Sequence, residues 1–313
     1  MSIGKMVSIL NEDIFIAIPS FKEEDLLNTV KSIYDNAEKP DNVYVGICNQ
    51  RTDGNFEDFS SFPNVRTANL TTPYAFGWVW DFCLPHGCCK TSSMLCELTG
   101  HMRFKKNWDK TLKYYYNLIS ETYCYNILIS SRIPWFIKDE EGKETYYDDG
   151  PGIIAPIHLW NESIRILTPK NVEKDDSIEH WNGKEYAESH LVSGHFMFSS
   201  NQFFKKIIPD PRITFFGEEH TFALRAWTND FRIFTLKESV LFHLGKTPEY
   251  NKKTELNNTN WHKFESAKGP SFDNRDMYKD ILMGKEFGPL AAKDEERYLE
   301  YLEVLGFDYR LLA

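Results

Sequence analysis

The chain has 313 residues, is 42% hydrophobic and carries 23 Phe, 16 Tyr and 8 Trp, enough apolar and aromatic mass for a sizeable core. Its net charge of −10 weighs against a protein whose main partner is nucleic acid, because phosphate-dominated binding wants a basic surface. No apolar run follows the first Met and no apolar stretch reaches about 18 residues, so the expectation is a cytoplasmic chain with no leader and no membrane span. The six Cys (48, 83, 88, 89, 96, 124) form no CxxC pair, which points to reduced thiols rather than a disulfide framework or a structural zinc site.

In chain order, the first fifty residues read as strand, helix, strand. Ile14-Phe15-Ile16-Ala17-Ile18 is an unbroken apolar run, as expected of a strand buried on both faces, and Pro19-Ser20 is expected to end it. Leu26, Leu27, Val30 and Ile33 recur at helical spacing behind Glu23, Glu24 and Asp25, acids that suit a first helical turn. Val43-Tyr44-Val45-Gly46-Ile47 is the second strand. An open sheet of this kind binds ligands beyond the carboxyl ends of its strands. Ser20 to Glu23 and Cys48-Asn49-Gln50-Arg51 sit there, with Asn49 and Gln50 able to pair with the edge of a base. There is no GxGxxG after the first strand and no GxxxxGK[ST], so a nucleotide would be held another way.

Met94 to Phe104 reads as a short strand running into a polar turn that carries His101, and Trp108-Asp109 opens a helix containing Leu112 and Tyr115. A histidine at a strand end can ligate a metal through a ring nitrogen. Residues 133–190 mix aromatics with turn formers: Pro134-Trp135-Phe136, Tyr146-Tyr147-Asp148-Asp149-Gly150 and His180-Trp181. Such rings stack on sugars and bases, which makes this stretch the expected acceptor side. Two carboxylates, Glu218 and Glu219, stand at a helix start, with Arg225 and Trp227 on the next turns and His243 after the following strand. Pro248 to Asn274 is polar and poorly periodic and reads as a lid or a solvated loop. Tyr298, Leu299, Leu302 and Leu305 make the apolar stripe of a last helix.

Together these segments resemble the Skp1-type polypeptide N-acetylglucosaminyltransferases that modify hydroxyproline. The resemblance runs through Ile18-Pro19-Ser20-Phe21-Lys22, Gly46-Ile47-Cys48-Asn49-Gln50, Thr99-Gly100-His101-Met102-Arg103-Phe104, Ser193-Gly194-His195-Phe196, Phe216-Gly217-Glu218-Glu219, Arg225-Ala226-Trp227-Thr228, Phe242-His243-Leu244 and the tail from Phe287 to Asp308. Each motif is weak alone; their order and spacing are specific.

The resemblance implies an α/β GT-A fold, a Rossmann-like nucleotide-diphospho-sugar transferase with a mixed sheet, as one domain. Its nucleotide half spans about residues 10–130, its acceptor half about 131–265 and its helical tail about 266–313. It implies a retaining transferase acting on a UDP-sugar. Glu218 and Glu219 are the implied catalytic pair. Pro19, Ser20, Lys22, Asn49, Gln50, Thr99, Gly100, Arg103, His195, Arg225 and Trp227 are implied on the donor. His101 and His243 would hold a divalent metal, Mn2+ or Mg2+, that neutralises the leaving phosphates.

The chain departs from the pattern at three places. Thr99 and Gly100 replace an Asp and a Ser, and threonine is a poor ligand for a hard cation. Glu97, two residues earlier on the same strand face, is the candidate substitute. His195 stands where the family has a small Gly. Tyr74-Ala75-Phe76-Gly77-Trp78 keeps Ala-x-Gly but loses the Arg that follows it. The acceptor is expected to be a protein hydroxyl. A hydroxylated base in viral DNA or a glycan would use the same chemistry, and a non-catalytic nucleotide-sugar-binding module is the reading from another class.

Overall fold

Burial on both faces sets the first strand: Ile14 to Ile18 are each at most 5% exposed, so the sequence has no reason to alternate. The computed structural model describes residues 13–71, 94–98, 100–148, 157–160, 163–166, 185–207 and 218–245, apart from positions 52, 124, 125 and 132. Strand β1 (Ile14–Phe21) outlasts its apolar run, with Pro19 and Ser20 continuing it rather than ending it. Helix α1 (Leu26–Asn36) starts later than expected, so Glu23, Glu24 and Asp25 precede it. Its buried stripe is Leu26, Val30 and Ile33, while Leu27, expected on that stripe, is 41% exposed. Strand β2 (Val43–Gln50) runs parallel to β1 and ends with Ser20 beside Asn49 and Phe21 beside Gln50.

The remaining elements follow in order: β3 (Val65–Leu70), β4 (Met94–Leu98), β5 (Met102–Phe104), α2 (Trp108–Tyr123), β6 (Asn126–Ile129), β7 (Trp135–Lys138) and β8 (Glu144–Tyr147). Then come β9 (Ile157–Trp160), β10 (Ser163–Ile166), β11 (Tyr186–Ser189), β12 (Phe196–Ser200), α3 (Asn201–Lys206), α4 (Glu218–Thr228), β13 (Phe231–Leu236) and β14 (Leu241–Leu244). Among the described residues, one sheet has the order β11-β13-β6-β12-β4-β1-β2-β3. Its β4, β1, β2 and β3 are parallel, and β12 enters antiparallel between β4 and β6. A second sheet, β5-β14-β7-β8, stands beside it, and β9 and β10 form a separate hairpin. The stretch at 133–190 that mixes aromatics with turn formers thus carries several strands. No helix of the described residues is long and apolar enough to cross a membrane. The Ala-x-Gly segment at 74–78, the 248–274 stretch and the last helix lie outside the described residues.

Local hydrogen bonds tie the two sheets to α1. Asp109, 2% exposed, accepts the backbone N–H of Glu38 (2.7 Å) and of Lys39 (3.0 Å), anchoring the chain after α1 to the start of α2. The Trp108 indole N–H donates to the Ile33 carbonyl at 3.0 Å, and its ring packs on Phe104 with centroids 4.8 Å apart. Trp108 is fully buried in the core shared by α1, α2 and β5. Trp108→Ala is therefore expected to cost about 3–5 kcal/mol of stability by the lost ring and the cavity it leaves. Urea unfolding measures this; a loss below about 1 kcal/mol would mean that the core closes over the gap.

Candidate active site

The turn between β4 and β5 is pinned to α1 by one hydroxyl. Thr29 Oγ1 donates to the Gly100 carbonyl (2.8 Å) and accepts the Met102 N–H (2.8 Å). Position 100 must be glycine: a Cβ there would lie 2.8 Å from Glu23 Cγ and 3.3 Å from Glu23 Cβ, atoms too near the backbone to move away cheaply. The glycine lets Glu23 pass over the turn to His101. Its carboxylate accepts a hydrogen bond from His101 Nδ1 at 2.6 Å.

That bond fixes the chemistry of the ring. An ionised carboxylate only accepts, so Nδ1 carries the proton, and in the neutral imidazole Nε2 is left with its lone pair. His101 Nε2 faces His243 Nε2 at 2.8 Å. That is a hydrogen-bond contact, made in the metal-free chain by a proton on one of the two nitrogens; a shared ion about 2.1 Å from each would replace that proton and hold them about 3 Å apart at right angles or about 3.4 Å apart in a tetrahedral shell. The pair is within a few tenths of an ångström of the right-angle spacing, and Glu23 stands where a carboxylate would orient a metal-bound histidine. Among the described residues no three His, Cys, Asp or Glu side chains meet in ligating positions, so two imidazoles are what the structure brings together.

Around this dyad the expected residues fall into three groups. The first lies beside it. His243 sits on β14, its N–H bonded to the Pro134 carbonyl (2.9 Å), and His195 packs its ring against the His243 ring with centroids 4.3 Å apart. His195 is exposed at a tight turn held by Ser130, whose Oγ accepts the Ser193 N–H (2.8 Å) and donates to the Phe196 carbonyl (2.8 Å). The same turn reaches α4: the Gly194 N–H donates to the Glu219 carboxylate at 2.6 Å. Burial pushes the Glu219 carboxyl above its ordinary value, and the Gly194 bond offsets part of that. Glu23, His101, His243, His195 and Glu219 thus form one line of neighbours.

The second group is at the ends of β1 and β2. Ser20 and Asn49 are register partners, 3% and 1% exposed. Ser20 Oγ and Asn49 Oδ1 are buried and have no hydrogen-bond partner among the described residues, while Asn49 Nδ2 donates to Glu57 at 2.7 Å. A buried polar atom left unpaired costs free energy, and these two stand at the strand ends where an open α/β sheet takes its ligands. Gln50, 1% exposed, gives its carbonyl to the Lys22 N–H (3.0 Å). Lys22 holds φ +50, a left-handed turn that swings the chain from β1 toward Glu23. Pro19 is half-buried just before it.

The third group is turned elsewhere. Arg103, expected on the donor, points inward: it pairs with Asp25 (2.8 Å) and Glu144 (2.6 Å) and lies over the Phe136 ring at 4.9 Å. Burial alone would raise the Asp25 carboxyl, but Arg103, Lys138 and Asn28 outweigh it and hold it below the usual carboxylate range. This network locks β5, β7 and β8 to the start of α1 and so holds the segment bearing Glu23. Arg225 and Trp227 are 3% and 4% exposed on α4, with Trp227 packed between His190 (5.6 Å) and Arg232 (3.9 Å) near β11 and β13. The β4 backbone carries Glu97 opposite Ala17 and Met197, and the backbone of Glu218 opens α4. Thr99 and the side chains of Glu97 and Glu218 lie outside what the structure describes.

The family model described as Glycosyltransferase (GlcNAc) matches residues 13–79 and 90–268, most of the chain. The chain belongs to that glycosyltransferase family. No curated protein sequence matches it. Among solved structures it is similar to the crystal structure of GalNAc-T7 with UDP, GalNAc and Mn2+, at 14% identity and a TM-score of 0.52. The match covers 94% of this chain and 54% of that one, so the chain spans about half the length of that neighbour. The fold is GT-A, as the resemblance implied.

The sequence gives no role to two residues beside the histidines, although it places Glu23 at the ligand end of the first strand. Glu23 looked like a helix-start acid, although a carboxylate directly beyond a strand's carboxyl end was a signal. Ser130 gave none. The Glu219 carboxyl yields a pH test. With its folded value raised above the ordinary 4.5, the native state binds more protons than the unfolded chain across that interval, so stability falls as pH rises through it and then levels. Glu219→Gln keeps an acceptor for Gly194 and removes the titration. Urea midpoints across pH should show the variant gaining on the parent as pH rises; parallel curves would place the carboxylate in water.

Proposed function

We propose that this chain transfers a sugar from a nucleotide diphosphate sugar, a UDP-sugar, to an acceptor hydroxyl, with retention at the anomeric carbon and a divalent metal, Mn2+ or Mg2+. The observation that carries this reading is the His101–His243 pair, aligned by Glu23 at the carboxyl end of a parallel sheet whose neighbouring strands offer unpaired Ser20 and Asn49 atoms. The neighbour structure with UDP and Mn2+ supports the donor class and the metal.

Ser20 and Asn49 take the edge of the base, and Lys22 and Gly100 line the passage toward the phosphates. His101 and His243 present ring nitrogens to the metal, which when bound neutralises charge on the leaving diphosphate. Glu219, held by Gly194 beside His195, faces the sugar and fixes its hydroxyls, because positioning supplies much of the rate. The acceptor oxygen forms its bond to the anomeric carbon as the bond to the phosphate oxygen breaks. The acceptor proton passes to the departing diphosphate, so retention needs no separate base. The resemblance to the hydroxyproline-modifying enzymes supports GlcNAc as one sugar to test first.

Thermal melting against nucleotide diphosphate sugars, with and without Mn2+, tests the reading, since a ligand of the native state raises its melting temperature. A UDP-sugar should stabilise the chain more with Mn2+ than without. Glu23→Gln should weaken Mn2+ binding about 10–100-fold by calorimetry, as loss of an outer carboxylate does elsewhere, with donor turnover falling in step. An unchanged Mn2+ titration would remove the dyad from the metal site.

A further inference from the structure

Exposed rings gather on one hairpin. Trp135, Tyr146 and Tyr147 of β7 and β8 are 40%, 45% and 40% exposed, although large aromatics ordinarily seek cover. Trp135 pairs in register with Tyr147 on β8 and with His243 on β14. Directly paired residues share one face of a sheet, so Trp135, Tyr147 and His243 stand on the same face. The Trp135 and Tyr147 rings lie 5.0 Å apart and inclined by 36°. Phe136 and Tyr146 occupy the opposite face, where their rings stack on each other and Tyr146 meets Phe242.

The site makes room for this Trp. A Cβ at position 245 would lie 2.6 Å from Trp135 Cε3 and 3.3 Å from the Phe136 carbonyl, so Gly245 lets the indole lie over the end of β14. The hairpin is also held firmly. Glu144 on β8 and Lys138 on β7 join the Asp25–Arg103 network that anchors α1.

We propose that Trp135 and Tyr147 form a stacking platform for a pyranose ring of a carbohydrate acceptor. This rests on the transferase reading above and names its acceptor class. The order of neighbours carries the assignment. Polar atoms unpaired among the described residues lie at Ser20 and Asn49, Glu23 and His101 come next, then His243, and Trp135 with Tyr147 lie beyond. A donor laid along that line reaches the histidines with its diphosphate, which leaves the aromatic pair for the other substrate. Flat, half-exposed rings suit the C–H face of a sugar, and Tyr147 and Trp135 keep polar groups at their edges for its hydroxyls. A pyranose seated there places a hydroxyl beside His243, where the donor's anomeric carbon arrives.

The test uses the full chain with Trp135→Ala and, to guard against misfolding, Trp135→Phe and Tyr147→Ala. Saturation-transfer NMR with methyl glycosides of glucose, galactose and N-acetylglucosamine reads binding without donor or metal. Steady-state transfer reads the two substrates separately. The expected result is saturation transfer to at least one methyl glycoside that is lost in Trp135→Ala and retained in part in Trp135→Phe. Acceptor KM should rise about tenfold or more in the alanine variants, with UDP-sugar KM unchanged. Equal loss of donor affinity would assign the rings to the base and overturn the proposal. So would Trp135-dependent binding of a hydroxyproline peptide with no binding of any glycoside. Glycoside binding in a chain that transfers no sugar would sink the transferase reading and leave the platform standing.

Discussion

A single short hydrogen bond decides what His101 can do. With Glu23 accepting from Nδ1 at 2.6 Å, the proton is committed to that side and the lone pair of Nε2 is committed to the other. Everything near it serves that commitment. Gly100 is bare so that Glu23 can pass, Thr29 fastens the turn from both sides, and the Asp25–Arg103–Glu144 network prevents the segment between β1 and α1 from drifting. The network is buried, so breaking it by removing one partner would leave an unpaired charge and cost far more than an exposed ion pair.

The site is assembled from segments distant in the chain because two sheets meet there. The large sheet delivers Ser20, Asn49 and the Glu23 segment from the ends of its parallel strands, the usual ligand side of an open α/β sheet. The small sheet delivers His243 and the aromatic hairpin. The turn before β12 brings His195 onto His243 and hands Gly194 to Glu219, so α4 is coupled to the histidines through one backbone amide. The path ends at one side on a partly buried carboxyl that resists ionisation and at the other on the Glu23 carboxylate that holds the His101 ring.

Much of this was legible in the residues. The unbroken run at 14–18, the helical stripe behind it and the strand at 43–47 form the first strand–helix–strand unit of the fold, because burial on both faces writes itself directly into composition. His101, His243 and Glu219 were picked out by order and spacing, and the structure brings all three to one line of neighbours. What could not be read was long-range geometry. Arg103 sits in a motif that points to the donor, yet its guanidinium is taken by Asp25 and Glu144, residues 78 and 41 positions away. Trp227 likewise follows the family order but packs on Arg232. Pro19 looked like a strand terminator and is not: pairing with β4 stops at Ala17, and β1 continues through Pro19 on its β2 pairing alone, where an edge tolerates a missing donor. His195, a misfit by family pattern, turns out to lie on His243.

The tautomer of His101 is the most direct measure of the account. Long-range 15N–1H correlation spectra of 15N-histidine-labelled protein, at a pH where imidazoles are neutral, distinguish the protonated ring nitrogen from the bare one. The account predicts Nδ1–H on His101 in the metal-free chain, a shift of its Nε2 resonance when Mg2+ and UDP are added, and loss of the tautomeric preference in Glu23→Gln. An Nε2–H tautomer on His101, or spectra indifferent to Glu23, would contradict it.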